Sequence, residues 1–145
     1  MRRVRISTMI RRMCIHHRLI FTGFVPNKEL IALYKNSLAL VMPTFFGPTN
    51  LPPLEAFNLG VPLIYSDLDG LKDQVGDAAL LMNLNDPNTL SNCILKLLRN
   101  KNLRNELIAK GYKKARKNKN HDRIGALEEI LIKFIGKYIN FKNLN

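Results

Sequence analysis

Short, uninterrupted apolar runs alternate along this chain with segments of helical character. The runs occupy residues 18–22, 38–42, 61–65 and 78–82. A strand that is apolar at every position is buried on both faces, which is typical of a parallel sheet covered by helices on each side. The sequence therefore predicts an α/β fold: a partial doubly wound (Rossmann-like) parallel sheet of about four strands with flanking helices.

Proline and glycine mark the ends of the helix that follows the second run. Pro52 and Pro53 favour a helix start, and Gly60 favours a stop just past the end of the helix. The further predicted helical segments include those at residues 28–35, 70–75 and 86–117. The last of them is expected to break at Asn100.

With 145 residues, the chain is long enough to form one domain with its own hydrophobic core. We expect a single truncated domain over 1–145. Its predicted parts are an N-terminal helix, an α/β core with the candidate site, C-terminal helices and a tail, at residues 1–17, 18–85, 86–139 and 140–145.

The composition, 46% hydrophobic and 23% charged, is that of a soluble globular protein. No apolar run approaches the roughly 20 residues needed to span a bilayer, and the N-terminus lacks the apolar core of a secretory signal. Cys14 and Cys93 form no paired motif and are interpreted as reduced thiols. We therefore expect a cytoplasmic protein that is either free or peripheral to the inner face of the membrane.

The formal net charge of +12 comes from 23 Lys and Arg against 11 Asp and Glu. The basic residues concentrate in 1–18 and in 101–123. Such clusters favour either solvated helix faces or contact with an anionic partner, a membrane or a nucleic acid. Because no GXXG loop or aromatic RNA-binding pattern accompanies them, nucleic acid is not the expected partner.

A loop rich in glycine, proline and asparagine follows the strand that is predicted to end at Met42. In a doubly wound sheet, ligands bind at the carboxyl ends of the strands, and the helix that follows offers N–H groups and a positive dipole end to an anion. Gly47 permits close approach of a ligand to the backbone. Glu55, in the first turn of the helix, has two interpretations: it accepts hydrogen bonds from ribose hydroxyls, or it only stabilises the helix start.

Residues 41–66, VMPTFFGPTNLPPLEAFNLGVPLIYS, resemble the donor-site segment of GT-B glycosyltransferases in the "glycosyl transferases group 1" family. There an apolar strand and P-[ST] precede a short loop, L-P-x-L-E-A and G-x-P-[VL]-I. The resemblance continues in FTGFV at 21–25, in GLKDQVGDAALL at 70–81 and in LRNEL at 103–107. It covers about residues 18–135.

The resemblance implies the donor-binding half of a retaining glycosyltransferase whose donor is a nucleoside-diphosphate sugar. Glu55 would hold the ribose hydroxyls, the loop before the helix would contact the sugar and diphosphate, and the turn near residue 24 would lie beside the base. The implied donor-binding residues are Gly47, Thr49, Asn50, Leu51, Glu55, Phe24 and Val25. No catalytic residue is assigned with certainty, and neither a metal nor a cofactor is expected.

The chain departs from the family pattern in two ways. The family places a first glutamate eight positions before Glu55, where this chain has Gly47; in subgroups with an FGPTN loop, Asn50 or loop amides would take over the sugar contacts. The family also has an N-terminal acceptor domain and two earlier βα units that carry the diphosphate clamp. In its strand order, 3-2-1-4-5-6, the two missing strands would lie between those at 18–22 and 38–42.

The sequence therefore predicts a fragment, or one half of a split enzyme, that binds a nucleotide sugar for assembly of a cell-envelope polysaccharide or glycolipid. Its expected partners are a separate N-terminal half, or a second copy held through an exposed apolar face, and an anionic membrane at its periphery. The alternative is a non-catalytic, degenerate product or basic partner protein that binds an anionic membrane surface or nucleic acid.

Overall fold

The computed structural model describes residues 18–47 and 50–119. The chain divides into a small unit that ends at Leu33 and a larger unit that begins at Tyr34. In chain order the elements are α1 (Asn27–Asn36), β1 (Leu40–Met42), α2 (Leu51–Leu59), β2 (Leu63–Ser66), α3 (Leu71–Val75), a 3₁₀ turn (Gly76–Ala78), β3 (Ala79–Met82), α4 (Pro87–Arg99) and α5 (Lys101–Lys119).

Three parallel strands form the sheet, in the order β1-β2-β3. Leu40 aligns with Leu63 of the central strand, and Ser66 aligns with Met82. Strands that follow one another in the chain are therefore neighbours in the sheet, as expected for the last three strands of the order 3-2-1-4-5-6. The predicted doubly wound parallel sheet is confirmed, with three strands in the described part of the chain.

The strand predicted at residues 18–22 is wrong. No strand is assigned there, and the side chains of Leu19, Ile20 and Phe21 are 43%, 86% and 65% exposed. An apolar run becomes a stable strand only when a neighbouring strand pairs its backbone and a core covers its side chains. Composition alone does not provide either of these.

Both faces of the central strand are buried, because side chains alternate from one face of a strand to the other. Leu63 and Tyr65 belong to a core cluster with Phe57 of α2 and Val75 of α3. Ile64 belongs to a second cluster on the opposite face, completed by Met82, Cys93, Leu97 and Leu107. Every residue of β2 is buried. The continuous apolar run at 61–65 predicted this burial.

The ends of α2 follow the proline and glycine signals. Pro52 and Pro53 lie in its first turn, and Gly60 ends it in the left-handed conformation (φ 69°, ψ 38°). The N–H of Val61 then donates to the carbonyl of Ala56 at 2.9 Å, which closes the last turn. The predicted helix is confirmed, but it begins at Leu51, so Glu55 lies in its second turn and not in the first turn, as the sequence predicted.

The predicted break at Asn100 is also confirmed, because Asn100 separates α4 from α5. Its side-chain Oδ1 accepts from the N–H of Leu103 at 2.9 Å and so satisfies a backbone donor in the first turn of α5. The predicted N-terminal helix (1–17) and the C-terminal segment from residue 120 lie outside the described residues. Within 18–47 and 50–119, no helix combines the length and the apolar character that a membrane span requires.

Gly111 provides a test of the packing between α2 and α5. A Cβ at this position would lie 2.8 Å from Cδ1 of Phe57, a ring that is 2% exposed. Replacing glycine by alanine inside a helix normally stabilises it by up to about 1 kcal/mol. Here the cost of overpacking, which is typically about 1–3 kcal/mol, should exceed this gain in helix stability.

We expect Gly111→Ala to lower the free energy of unfolding by about 1 kcal/mol or more in urea titrations. Asn105→Ala is the matched control, because it introduces alanine at an exposed position of the same helix. That variant should be at least as stable as the parent protein. A Gly111→Ala protein as stable as the Asn105→Ala protein would contradict the predicted contact.

Candidate functional site

The loop between β1 and α2 is attached to the carboxyl end of the sheet by Ser66. Its side chain is fully buried, and its Oγ accepts from the N–H of Thr44 at 2.9 Å. The same hydroxyl lies 3.4 Å from the carbonyl oxygen of Met42, to which it donates. A buried hydroxyl must have partners, and here they are the last residue of β1 and the loop that follows it.

The next residues form a turn that exposes two aromatic side chains. Thr44 Oγ1 donates to the carbonyl of Phe46 at 2.6 Å and accepts from its N–H at 3.3 Å. Phe45 and Phe46 are 75% and 83% exposed. The threonine hydroxyl therefore holds this turn locally.

Gly47 has a backbone conformation that other residues rarely adopt, with φ at +125°. A Cβ at this position would also overlap the side-chain amide of Asn50. Glycine is thus required at position 47 by both the backbone angle and the neighbouring side chain. On this side of Gly47 the space is therefore filled by Asn50, and the close approach of a ligand to the backbone of Gly47 stays a prediction.

Asn50 holds the loop through its side chain. Its Nδ2 donates to the carbonyl of Gly47 at 2.9 Å and to the hydroxyl of Tyr65 at 2.6 Å. Because an amide nitrogen has two protons, both are committed within the protein. A sugar hydroxyl can therefore be met by this side chain only through the acceptor Oδ1.

The backbone of Asn50 is held by a residue that the sequence analysis did not single out. Its N–H donates to Gln74 Oε1 at 3.3 Å, and its carbonyl accepts from Gln74 Nε2 at 2.6 Å. Tyr65, which is fully buried, donates to the same Oε1 at 3.3 Å. Gln74 lies on α3, just after the carboxyl end of β2. Its position after β2 was the only feature of the sequence that could have indicated Gln74, because hydrogen bonds from side chains to the main chain leave no sequence pattern.

The start of α2 has fewer N–H donors than a typical helix. Pro52 and Pro53 have none, so Leu51 is the only one of the first three helical residues that can donate to an anion. Leu51 is 68% exposed. The dipole of the helix still favours negative charge here.

Glu55 lies exposed on α2 and has one partner from α1. The hydroxyl of Tyr34 donates to Glu55 Oε2 at 3.0 Å. Partial burial, this hydrogen bond and the negative charge of Glu55, in that order of size, raise the pKa of Tyr34 to about 12. Tyr34 thus stays protonated and orients the carboxylate, which keeps further acceptor positions for hydroxyl groups.

Asn50 holds Gly47 and directly precedes Leu51 at the start of α2, and Glu55 lies in the second turn of that helix. Phe24 and Val25 lie in the small unit, where Phe24 is 95% exposed and Val25 is half-buried. Thr49 lies outside the described residues. In the part of the chain that the structure describes, no three His, Cys, Asp or Glu side chains are grouped as metal ligands would be.

Part of the basic run in α5 has partners within the fold. Lys110 pairs with Glu106 at 2.8 Å and with Asp77 at 3.3 Å, and Lys114 donates to the carbonyl of Asp73 at 3.2 Å. These contacts connect α5 to α3 and to the turn after it. They give part of the positive charge a structural role.

Three comparisons place this arrangement among known proteins. The model of the family described as "Glycosyl transferases group 1" matches residues 2–114. The chain is 35% identical over 96 residues to O-antigen chain mannosyltransferase B of Escherichia coli, which covers 66% of this chain and 25% of that protein. It is 33% identical over 92 residues to the serotype-specific mannosyltransferase WbdA of E. coli, covering 63% of this chain and 11% of that one.

Among solved structures, sucrose-phosphate synthase from Thermosynechococcus elongatus has a similar fold. The TM-score is 0.77 at 24% identity, over 94% of this chain and 35% of that one. The chain thus spans a quarter or less of the length of these two curated relatives and about a third of this structural neighbour. The fold is that of part of a GT-B glycosyltransferase.

The contact between Tyr34 and Glu55 can be tested by titration. A raised pKa means that this contact stabilises the fold fully below pH 10.0, the ordinary value, and that the stabilisation is lost as pH rises towards about 12. In ¹³C NMR of ring-labelled tyrosine, we expect the Tyr34 signal to titrate near 12. Glu55→Gln should lower this pKa only part of the way towards 10.0, since burial remains.

Tyr34→Phe assigns the signal, because only the Tyr34 resonance is then missing. If Tyr34 titrated near 10 in the parent protein, or if Glu55→Gln left its pKa unchanged, the hydrogen bond would be contradicted.

Proposed function

Since this chain belongs to the glycosyl transferases group 1 family, we propose that it binds a nucleoside-diphosphate sugar at the loop between β1 and α2. The single observation that carries the proposal is the placement of Glu55. It is an exposed carboxylate in the second turn of a helix that follows a loop held at the carboxyl end of a parallel sheet. Ligands of doubly wound folds bind at this edge.

Each donor group has a counterpart of suitable chemistry. The vicinal ribose hydroxyls donate to the free acceptor positions of Glu55. The diphosphate and the sugar meet the N–H of Leu51, the Oδ1 of Asn50 and the backbone near Thr49, at the positive end of the dipole of α2. The site requires no metal and no cofactor.

The proposed sugar is mannose, and the proposed acceptor is a growing cell-envelope polysaccharide. Support comes from the two E. coli relatives, whose names describe mannosyltransferases, one of them acting on the O-antigen chain. The proposed reaction transfers the sugar with retention of configuration. The acceptor-binding part, which the resemblance assigns to an N-terminal domain, acts together with the residues of this chain.

Binding can be tested on the 145-residue chain itself. We expect GDP-mannose, or the corresponding uridine or adenosine nucleotide, to raise the melting temperature of the protein and to give a saturable isotherm in calorimetry. The corresponding nucleoside-diphosphate glucose should bind more weakly, because glucose differs from mannose in its configuration at C2.

Glu55→Ala should weaken donor binding about tenfold or more, because hydrogen bonds to a charged group contribute about 1.5–3 kcal/mol. Glu106→Ala is the matched control: it removes the same charge from α5, where Glu106 is paired with Lys110. Affinity in that control should change less than about twofold. The proposal fails if no nucleotide sugar stabilises the protein at millimolar concentration, or if the two variants behave alike.

A further inference from the structure

The loop before α2 has few constraints of its own beyond its local hydrogen bonds. It carries Gly47 in a glycine-specific conformation, and its described residues, 43–47 and 50, form no regular secondary structure. Ordering such a loop at the moment of binding would weaken affinity, because each ordered residue loses conformational entropy. A site that binds well therefore needs a device that orders the loop beforehand.

The side-chain amide of Gln74 can order the loop in this way. It pairs with both main-chain groups of Asn50, Oε1 with the N–H at 3.3 Å and Nε2 with the carbonyl at 2.6 Å. Two antiparallel hydrogen bonds to one residue fix both its position and the orientation of its peptide groups. Leu51, which follows directly, begins α2 in the orientation that Asn50 sets.

Tyr65 fixes the orientation of that amide in turn. Its hydroxyl donates to Gln74 Oε1 at 3.3 Å and accepts from Asn50 Nδ2 at 2.6 Å. A flipped amide would place Nε2 against the Asn50 N–H and would lose both the bond from Tyr65 and the bond to the Asn50 carbonyl. Because Tyr65 is fully buried in the central strand, the loop is connected to the hydrophobic core.

We propose that Gln74, supported by Tyr65, is a positioning residue that holds the backbone of Asn50 and Leu51 in the conformation that receives the diphosphate and sugar of the donor. This inference rests on the proposed function. The polar atoms of Gln74 are engaged by Asn50 and Tyr65, so it acts through the loop and not by touching the donor. Its influence should extend to the donor groups that contact the loop and not to the ribose, which Glu55 binds from α2.

The experiment uses ligands of increasing length: the nucleoside, the nucleoside diphosphate and the nucleotide sugar. Affinities come from calorimetry, and saturation-transfer NMR covers the weak nucleoside. For Gln74→Leu we expect the nucleotide sugar to bind about 5- to 20-fold more weakly, as expected from two lost hydrogen bonds. The nucleoside should change less than about twofold. A role limited to fold stability would weaken all three ligands alike.

A second readout does not depend on ligands. Hydrogen exchange of the main-chain N–H of Asn50 should be at least about tenfold faster in Gln74→Leu, because this variant removes its acceptor, Gln74 Oε1. Tyr65→Phe removes one hydroxyl and keeps the ring in the core. It should also weaken the nucleotide sugar more than the nucleoside, by a smaller factor than Gln74→Leu. If Gln74→Leu does not fold, Tyr65→Phe replaces it in the same measurements. Asp73→Asn, an exposed neighbour on α3, is the control and should leave the exchange rate of the Asn50 amide and all three affinities unchanged.

The outcomes separate this inference from the proposed function. If the parent chain binds no nucleotide sugar, the proposed function fails. If the parent binds and Glu55→Ala weakens the nucleoside and the nucleotide sugar together, the proposed function stands. Positioning by Gln74 is then overturned if Gln74→Leu, or Tyr65→Phe in its place, leaves nucleotide-sugar affinity unchanged or weakens the nucleoside equally.

Discussion

The burial of β2 is the constraint on which the rest of this structure depends. The strand lies between two parallel neighbours and beneath helices on both faces, so every side chain on it must be apolar or fully hydrogen-bonded. Its last two residues, Tyr65 and Ser66, carry hydroxyls. Both find partners in the loop that leaves β1 or in the residues beside it. The need to satisfy these groups thus attaches the candidate site to the core.

This attachment separates the two tasks of the proposed donor site. Glu55 is displayed on the surface of a helix, with Tyr34 orienting its carboxylate, and remains accessible to a ligand. The polar groups of Asn50 and Gln74 are largely turned inward, so they shape the loop rather than cover it. In the proposed donor site, recognition of the ribose and the fixing of the loop rely on different side chains, although Gly47 and Glu55 are only eight positions apart in the chain.

What the sequence predicted correctly was determined by local chemistry. The start of α2 at the prolines, its end at Gly60 and the break at Asn100 all follow from backbone requirements that a few adjacent residues meet by themselves. The burial of β2 followed from an apolar run flanked by turn residues. In each case the information lay within one short segment.

The failures have the opposite origin. Residues 18–22 have a composition suited to a strand, but a strand exists only with a partner, and the partner is not encoded in the run itself. Gln74 and Tyr65 were missed because their hydrogen bonds join three segments of the chain. The spacing of a glutamine and a tyrosine in the sequence does not predict such a contact. Glu55 was found through the family resemblance, and the hydrogen bond from Tyr34 required the tertiary fold.

The glycine at position 47 shows how these constraints combine. In the family pattern a glutamate occupies this place, and its replacement by glycine could be taken as simple decay of the site. The structure gives a different physical account. With φ at +125° and the Asn50 amide directly beside the Cα, no side chain fits at this position while Asn50 holds Gly47 and Tyr65. Gly47, Asn50 and Gln74 therefore form one self-consistent arrangement in which a glutamate at position 47 would displace the asparagine. The absence of that glutamate is thus part of how this loop is built, and the side chain of Asn50 can meet a sugar hydroxyl only through its acceptor Oδ1.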